Sequence, residues 1–334
     1  MNRLTGFLQQ LWYEQSVWAW LLAPLGYAYQ AGMALRDGCY RSGILAMHPV
    51  GVPVIVVGNL SVGGTGKTPL VLWLAAYLTE RGFKPGIVSR GYGGGDLNRP
   101  QQVRVDSDPA LVGDEAVLMA RRSGCPVAVC RKRQLAARGL VEHAGCNIII
   151  SDDGLQHLAL ARDIEIVVID GQRRFGNGLC LPAGPLREGL GRLRHVHILV
   201  CNGRGQRGEH EMQYQQQQLR PLFGDEATES LADWQGKRVH AVAGIGNPQR
   251  FFLSLKQHGL LVVPHARADH HDFTAADFNF DEDLPIIMTE KDAVKCARLS
   301  TVPALQNAWY LPVTASLAKT FEYRLNHLLD ELRT

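Results

Sequence analysis

The stretch Val54-Ile-Val-Val-Gly-Asn-Leu-Ser-Val-Gly-Gly-Thr-Gly-Lys-Thr68 constrains this chain more than any other. A β-branched apolar run that breaks into glycines, and then into Lys-Thr and a second apolar run, is a strand feeding a helix. The turn between them lets backbone N–H groups close around phosphate oxygens. Ser61, Val62, Gly63, Gly64, Thr65 and Gly66 are the candidate ATP-binding wrap, with Lys67 reaching the terminal phosphates and Thr68 able to hold Mg²⁺. Ser61 stands where the strict spacing places a first glycine. A glycine-rich turn without nucleotide is the plainer alternative, and its surroundings argue against it. Leu70-Val-Leu-Trp-Leu-Ala-Ala-Tyr-Leu78 reads as a buried helix, and Pro69 fits a first turn, where its missing N–H is no loss.

Downstream the chain alternates. Residues 84–95 read as a short strand running into a glycine loop, and residues 113–122 as a helix with two carboxylates in its first turn. Residues 127–129, 147–150, 164–169 and 196–200 read as further strands. The expected fold is therefore α/β: a P-loop NTPase-like, mainly parallel sheet flanked by helices, with ligands at the carboxyl ends of the strands. Residues 203–236 shift towards Gly, Gln, Glu and Arg and are taken as a domain junction. A smaller C-terminal α/β domain follows, with strands at 238–243, 260–263, 285–288 and 309–313 and a helix at 248–258. A tail helix over 317–332 would have Phe321, Leu325, Leu328 and Leu329 on one face. The expected division is an N-terminal helical segment (1–40), a kinase core (41–215), the smaller domain (216–315) and the C-terminal helix (316–334).

A length of 334 residues with 46% hydrophobic and 20% charged residues fits a folded chain with a sizeable core. The net charge of +3 is too mild to argue for nucleic acid. Seven cysteines without a Cys-x-x-Cys pair read as reduced thiols in a cytoplasmic setting. No segment marks an obligatory protein partner.

Between Arg3 and Arg36 the only charged residue is Glu14, and three of the six tryptophans, Trp12, Trp18 and Trp20, lie there. Leu4, Phe7, Leu8, Leu11 and Trp12, then Trp18, Leu21, Leu22 and Leu25, recur at helical spacing. A secretory signal lacks a clear cleavage site. A spanning helix is opposed by Pro24 and by Gln9, Gln10, Glu14, Gln15 and Ser16. An amphipathic segment lying in the membrane interface fits better, and a helix packed on the protein's own core is the alternative.

Carboxylates and cations gather at the sheet edge. Asp152 and Asp153 end the run Ile148-Ile-Ile-Ser151, where a second acidic site for Mg²⁺ belongs, although capping would also explain them. His157 follows on the same edge. Asp114 and Glu115 begin a helix, which suits carboxylates through the dipole alone, and they could equally supply a base or a metal contact. Arg131-Lys-Arg133 is either a solvated face or a clamp on phosphate. Pro182-Ala-Gly-Pro-Leu-Arg-Glu188 is a rigid turn that presents Arg187 and Glu188. Asp269-His270-His271-Asp272 lacks the third spaced ligand of a zinc site, so a general base or a base-orienting pair is the better functional reading.

In order, Val57–Pro69, Ser89–Gly93, Val112–Glu115, Ser151–His157, Pro182–Glu188, Asp269-His270 and Thr289-Glu-Lys-Asp-Ala-Val-Lys295 make the chain resemble the tetraacyldisaccharide 4'-kinases, the lipid A 4'-kinases, over nearly its whole length. That family also lacks the first glycine. The resemblance implies transfer of the ATP γ-phosphate to the 4'-hydroxyl of a tetraacyldisaccharide 1-phosphate, a glycolipid, to give lipid IVA in lipopolysaccharide synthesis. It also implies Mg²⁺ and a site on the cytoplasmic face of the bacterial inner membrane, with the N-terminal segment meeting the lipid surface. Carried over residue by residue, it implies Asp114 with His270 as the catalytic pair, and Thr68, Glu115, Asp152 and Asp153 at the metal. Arg133, His157, Arg187 and Glu188 would line the substrate and phosphate site. Neighbouring residues leave His271 against His270, and Arg131 against Arg133, open. A soluble P-loop kinase for a small metabolite would leave the N-terminal aromatics without a purpose. A GTP-dependent switch or metallochaperone would need a base-reading Asn/Thr-Lys-x-Asp motif, whereas Thr289-Glu-Lys-Asp292 has the wrong order.

Overall fold

The computed structural model, which describes residues 10–14, 16–216, 218–224 and 228–332, folds the alternating elements into two sheets. The first sheet takes β1 (Val54–Gly58), β2 (Pro85–Ser89), β3 (Gln101–Val103), β4 (Val127–Val129), β5 (Ile148–Ser151), β6 (Ile164–Asp170), β7 (Ile198–Asn202) and β8 (His210–Gln216). The second takes β9 (Arg220–Pro221), β10 (Arg238–Ala243), β11 (Leu261–Ala266), β12 (Ile286–Thr289) and β13 (Ala308–Leu311), and β14 (Val313–Leu317) returns to the first. The strand orders are β14-β8-β7-β6-β1-β5-β2-β4-β3 and β11-β10-β12-β13-β9. Among the described residues only β3, β14 and β9 run antiparallel to their neighbours.

The helices are α1 (Val17–Arg41), α2 (Lys67–Glu80), α3 (Pro109–Val112), α4 (Asp114–Ser123), α5 (Arg133–Ala144), α6 (Pro248–Gln257), α7 (Glu290–Cys296) and α8 (Lys319–Glu331). β1 is buried along its whole length, as a parallel strand covered on both faces must be. It lies between β5 and β6, where the order of connection reverses, and this crevice at the carboxyl ends is where such sheets place ligands.

Two readings of the chain need correction. Residues 203–236 carry a real strand, β8, with Met212 buried between exposed Glu211 and Gln213. Its glutamine-rich composition hides a period-2 pattern that pairs with β7 and β14. The single strand expected at 309–313 is two strands on different sheets. Pro312, which cannot donate to a ladder, separates β13 from β14. α8 then buries Phe321, Leu325, Leu328 and Leu329 against the first sheet's core, with Trp73 edge-on to Phe321 at 5.4 Å.

α1 runs through Pro24, and the face it buries is the small-residue stripe Ala19, Ala23 and Gly26. A Cβ at Gly26 would lie 2.9 Å from the Cys180 carbonyl oxygen, so glycine permits this close approach to the 180–183 turn. The large apolar residues point the other way: Trp18, Trp20 and Leu21 are 58%, 72% and 68% exposed. The helix is thus docked on the protein through small residues and presents aromatics outward. Leu4, Phe7, Leu8, Gln9 and Gln15 lie outside the described residues. Among the described residues no helix is long and apolar enough to cross a membrane.

Candidate active site

The phosphate loop leaves β1 at Gly58 and enters α2 at Lys67 through Gly66, whose φ of 99° only glycine adopts without strain. Glycine is also required there for space, because a Cβ would run into the Tyr214 hydroxyl and the Asn202 amide. Asn59 ties the loop together, donating to the carbonyls of Ser61 at 2.6 Å and Gly63 at 3.3 Å while its Oδ1 accepts from Lys67 Nζ at 3.3 Å. Asn202, at the end of β7, donates to the Thr65 carbonyl at 3.0 Å.

β5 delivers Asp152 and Asp153 beside that loop. Lys67 Nζ lies 3.4 Å from Asp153 Oδ1, and Arg187 holds the same carboxylate at 3.1 Å. Burial pushes Asp153 up, but Lys67, Arg187 and Arg133 together outweigh it and hold the carboxyl well below the ordinary range. Its neighbour behaves oppositely: burial, then the charges of Glu115 and Asp153, push Asp152 up to about 7. Asp153 sits at φ 46°, a left-handed conformation that turns consecutive carboxylates into different surroundings.

Further along the edge, Arg133 is buried at the start of α5, whereas Arg131 is exposed. His157 Nε2 meets Gln134 Oε1 at 3.0 Å, and burial with the cations around it lowers its pKa to about 4, so it is neutral. Arg187 faces the crevice through Asp153. Glu188 turns inward, accepting from Gln156 at 2.8 Å and lying 3.5 Å from Arg192, and burial raises its pKa. It braces the turn more than it faces the crevice.

Asp114 begins α4, and His270 lies 156 residues away in the loop after β11. The fold brings His270 Nδ1 to 3.2 Å from Asp114 Oδ2, with Tyr92 of the glycine loop packed on the imidazole at 4.7 Å between ring centroids. His270 too is left-handed, at φ 58°. His271 instead meets Asp277 at 3.0 Å and packs edge-on to Phe273, away from Asp114. Burial pushes Asp114 up, and its bond with His270 and the charges of Lys291 and Lys295 reverse this, leaving its carboxyl below the ordinary range and ionised at neutral pH. The pair opens into a cavity of about 210 Å³ lined in part by Tyr92, Gly93, His271 and Arg298.

The sequence profile of the tetraacyldisaccharide-1-P 4'-kinases matches residues 18–330. The chain belongs to that family. It is 48% identical to the tetraacyldisaccharide 4'-kinase of Nitrosococcus oceani over 331 residues, covering 99% of this chain and 96% of the relative. It is 50% identical to that of Alkalilimnicola ehrlichii over 314 residues, covering 94% and 93%. A crystal structure of LpxK from Aquifex aeolicus in complex with ATP superposes with a TM-score of 0.76 at 26% identity, covering 95% of this chain and 99% of that one. As a tetraacyldisaccharide 4'-kinase family member the chain is a phosphotransferase that binds ATP.

Sequence reasoning missed the residues that bind the second lobe of this kinase to the first. Arg250, at the start of α6, donates to Asn202 Oδ1 at 2.7 Å and stacks 4.5 Å over the Tyr214 ring. Arg173 donates to the Gly246 carbonyl at 2.7 Å. A Cβ on Gly246 would lie 2.6 Å from the Gly64 amide, so the loop after β10 rests directly on the phosphate loop. The run Gly244-Ile-Gly-Asn-Pro248 was the available signal, a second glycine turn between a strand and a helix.

Proposed function

We propose that this site transfers the γ-phosphoryl group of ATP to the 4'-hydroxyl of tetraacyldisaccharide 1-phosphate, giving lipid IVA, with Asp114 receiving the hydroxyl proton. The observation that carries the reading is the Asp114–His270 contact at 3.2 Å, which faces a cavity on the same sheet edge as Lys67. Phosphoryl transfer through a loose transition state asks the protein mainly for position and charge. A carboxylate of lowered basicity therefore suffices, provided it is ionised and fixed. His270 orients Asp114. Lys67 and the amides of residues 63–67 grip the triphosphate, and Arg187 and Arg133 offset charge developing at the transferred group.

The residues also fit a Mg²⁺ ion. Asp152 Oδ1 and Thr65 Oγ1 are buried at this edge with no hydrogen-bond partner, and the pKa of Asp152 stays raised by burial, Glu115 and Asp153 despite Lys67 and Arg133. Among the described residues no three acidic or imidazole groups form a cation cage alone. That suits Mg²⁺, which takes one or two carboxylates and completes its shell with phosphate oxygens and water. Thr68 with one or two of the carboxylates Glu115, Asp152 and Asp153 would hold it, and when bound it would supply neutralisation of the β- and γ-phosphate charge.

The outward aromatics of α1 would rest in the interface of the inner membrane's cytoplasmic face. Arg36 of that helix already donates to the Gln156 carbonyl at 3.1 Å beside the site, so a lipid head lifted from the bilayer reaches the crevice over a short path. The direct test is γ-labelled ATP with tetraacyldisaccharide 1-phosphate in detergent micelles. A lipid that gains one labelled phosphate ester is expected, and a purified, folded protein that leaves the lipid unlabelled would overturn the reading.

A further inference from the structure

Thr289-Glu-Lys-Asp-Ala-Val-Lys295 has entered so far only through the charges of Lys291 and Lys295 near Asp114. It forms the start of α7, capped by Thr289, whose Oγ1 accepts from the Asp292 amide at 3.3 Å. Helical spacing puts Lys291 and Lys295 on one face, turned towards the start of α4. Glu290 binds Arg122 near the end of α4 at 2.6 Å, and Lys291 Nζ binds Glu115 in its first turn at 2.9 Å. Two ion pairs about two helical turns apart thus fix α7 along α4. Lys291 Nζ also reaches Asp269 Oδ1 at 3.2 Å and His270 Nε2 at 3.2 Å, and its side chain is only 14% exposed.

The last of these contacts has a sign. An ammonium group donates and cannot accept, so a ring nitrogen bonded to it must offer a lone pair. His270 Nε2 is therefore bare and its proton sits on Nδ1, aimed at Asp114 Oδ2. The opposite tautomer would set an N–H against the ammonium and a ring lone pair against the carboxylate, and both contacts would become repulsive. Asp269 offers no competing acceptor for an Nε2–H: its Oδ1 is 3.8 Å from Nε2 and already accepts from Lys291 and from the His270 amide.

We propose that Lys291 is a positioning residue for phosphoryl transfer: by donating to His270 Nε2 it locks the imidazole as the Nδ1–H tautomer that orients Asp114. The assignment rests on the Asp114–His270 reading, and its test separates the two. In the full-length chain with ¹⁵N-labelled histidine, His270, identified by loss of its signals in His270→Gln, is expected to show a protonated Nδ1 and an unprotonated Nε2 at neutral pH. Lys291→Met should give a mixture of tautomers. Kinetically, Lys291→Met should lower kcat by about tenfold or more, Lys291→Arg should recover most of it because arginine also only donates, and Lys291→Met in a His270→Gln background should cost less than a further threefold.

A protonated Nε2 in the unsubstituted chain overturns the assignment. So does a double variant whose loss is the product of the two single losses, since Lys291 would then act through Glu115 and not through His270. Should His270→Gln leave kcat unchanged, it is the Asp114–His270 reading that fails, while the ring-nitrogen signals still decide the tautomer.

Discussion

The phosphate loop and the Asp114–His270 pair lie on the same crevice but are assembled by different means. The loop is local: residues 59–67 hold one another through Asn59, and β5 brings Asp153 to Lys67 from the adjacent strand. The pair is remote, joining α4 of the first lobe to the loop after β11 of the second, with Lys291 and Lys295 in contact with both. On the proposed roles, gripping a triphosphate falls mainly to the first lobe, whereas the proton acceptor is complete only when both lobes are in place. On those roles, substitutions in the two regions are separable in kinetics.

The largest separation is expected for Asp114→Asn. It keeps shape and removes the acceptor, so kcat should fall by about 10²–10⁴-fold while KM for ATP moves by less than about threefold. Steady-state kinetics with varied ATP check this, with a thermal melt to show that the buried site still folds. A matched loss in both parameters would mean that Asp114 belongs to nucleotide binding and that the two regions are one.

Arg250 is where the two regions ought to blur. It belongs to the second lobe but supports the phosphate loop through Asn202, which holds the Thr65 carbonyl. Arg250→Ala should raise KM for ATP by about tenfold, equivalent to ~1.4 kcal/mol of lost ground-state binding, with kcat at saturating ATP changed by less than about threefold. If kcat falls and KM does not, Arg250 governs the approach of the lobes and the loop is self-sufficient.

The same division governs how much could be read from sequence. The loop, Asp152 and Asp153 are contiguous motifs on buried parallel strands, so an apolar run ending in glycines or acids located them directly. Asp114 and His270 are each unremarkable alone, one a helix-start carboxylate and the other half of a histidine doublet. Spacing along the chain does not show that 156 residues close to 3.2 Å. The family resemblance paired them, and the geometry then turned His271 away to Asp277. The roles of Lys291 and Arg250 were illegible for a related reason, since partners of both lie across the lobe boundary. β8 failed differently, because glutamines occupy its outward positions and mask the alternation.

Within the phosphate region a finer contrast is expected, with the smallest effect. Asp152 and Asp153 are neighbours whose proton affinities move in opposite directions, so their contributions to stability should slope oppositely with pH. Between the ordinary carboxylate range and about 7, folded Asp152 retains a proton that the unfolded chain has released, so its contribution to stability declines as pH rises through that window. Asp152→Asn abolishes the decline, and the Tm of the metal-free variant relative to the unsubstituted chain should rise by ~2–4 °C from pH 5 to pH 8. Asp153 is held low by Lys67 and Arg187 after burial is overcome, so its contribution is fully present at neutral pH and lost as pH falls below the ordinary carboxylate range. Asp153→Asn should therefore lower Tm at pH 7 and matter less towards pH 3. Melts of both variants across this range decide whether the left-handed turn at Asp153 separates two electrostatic environments: parallel curves would mean that the pair titrates as one unit.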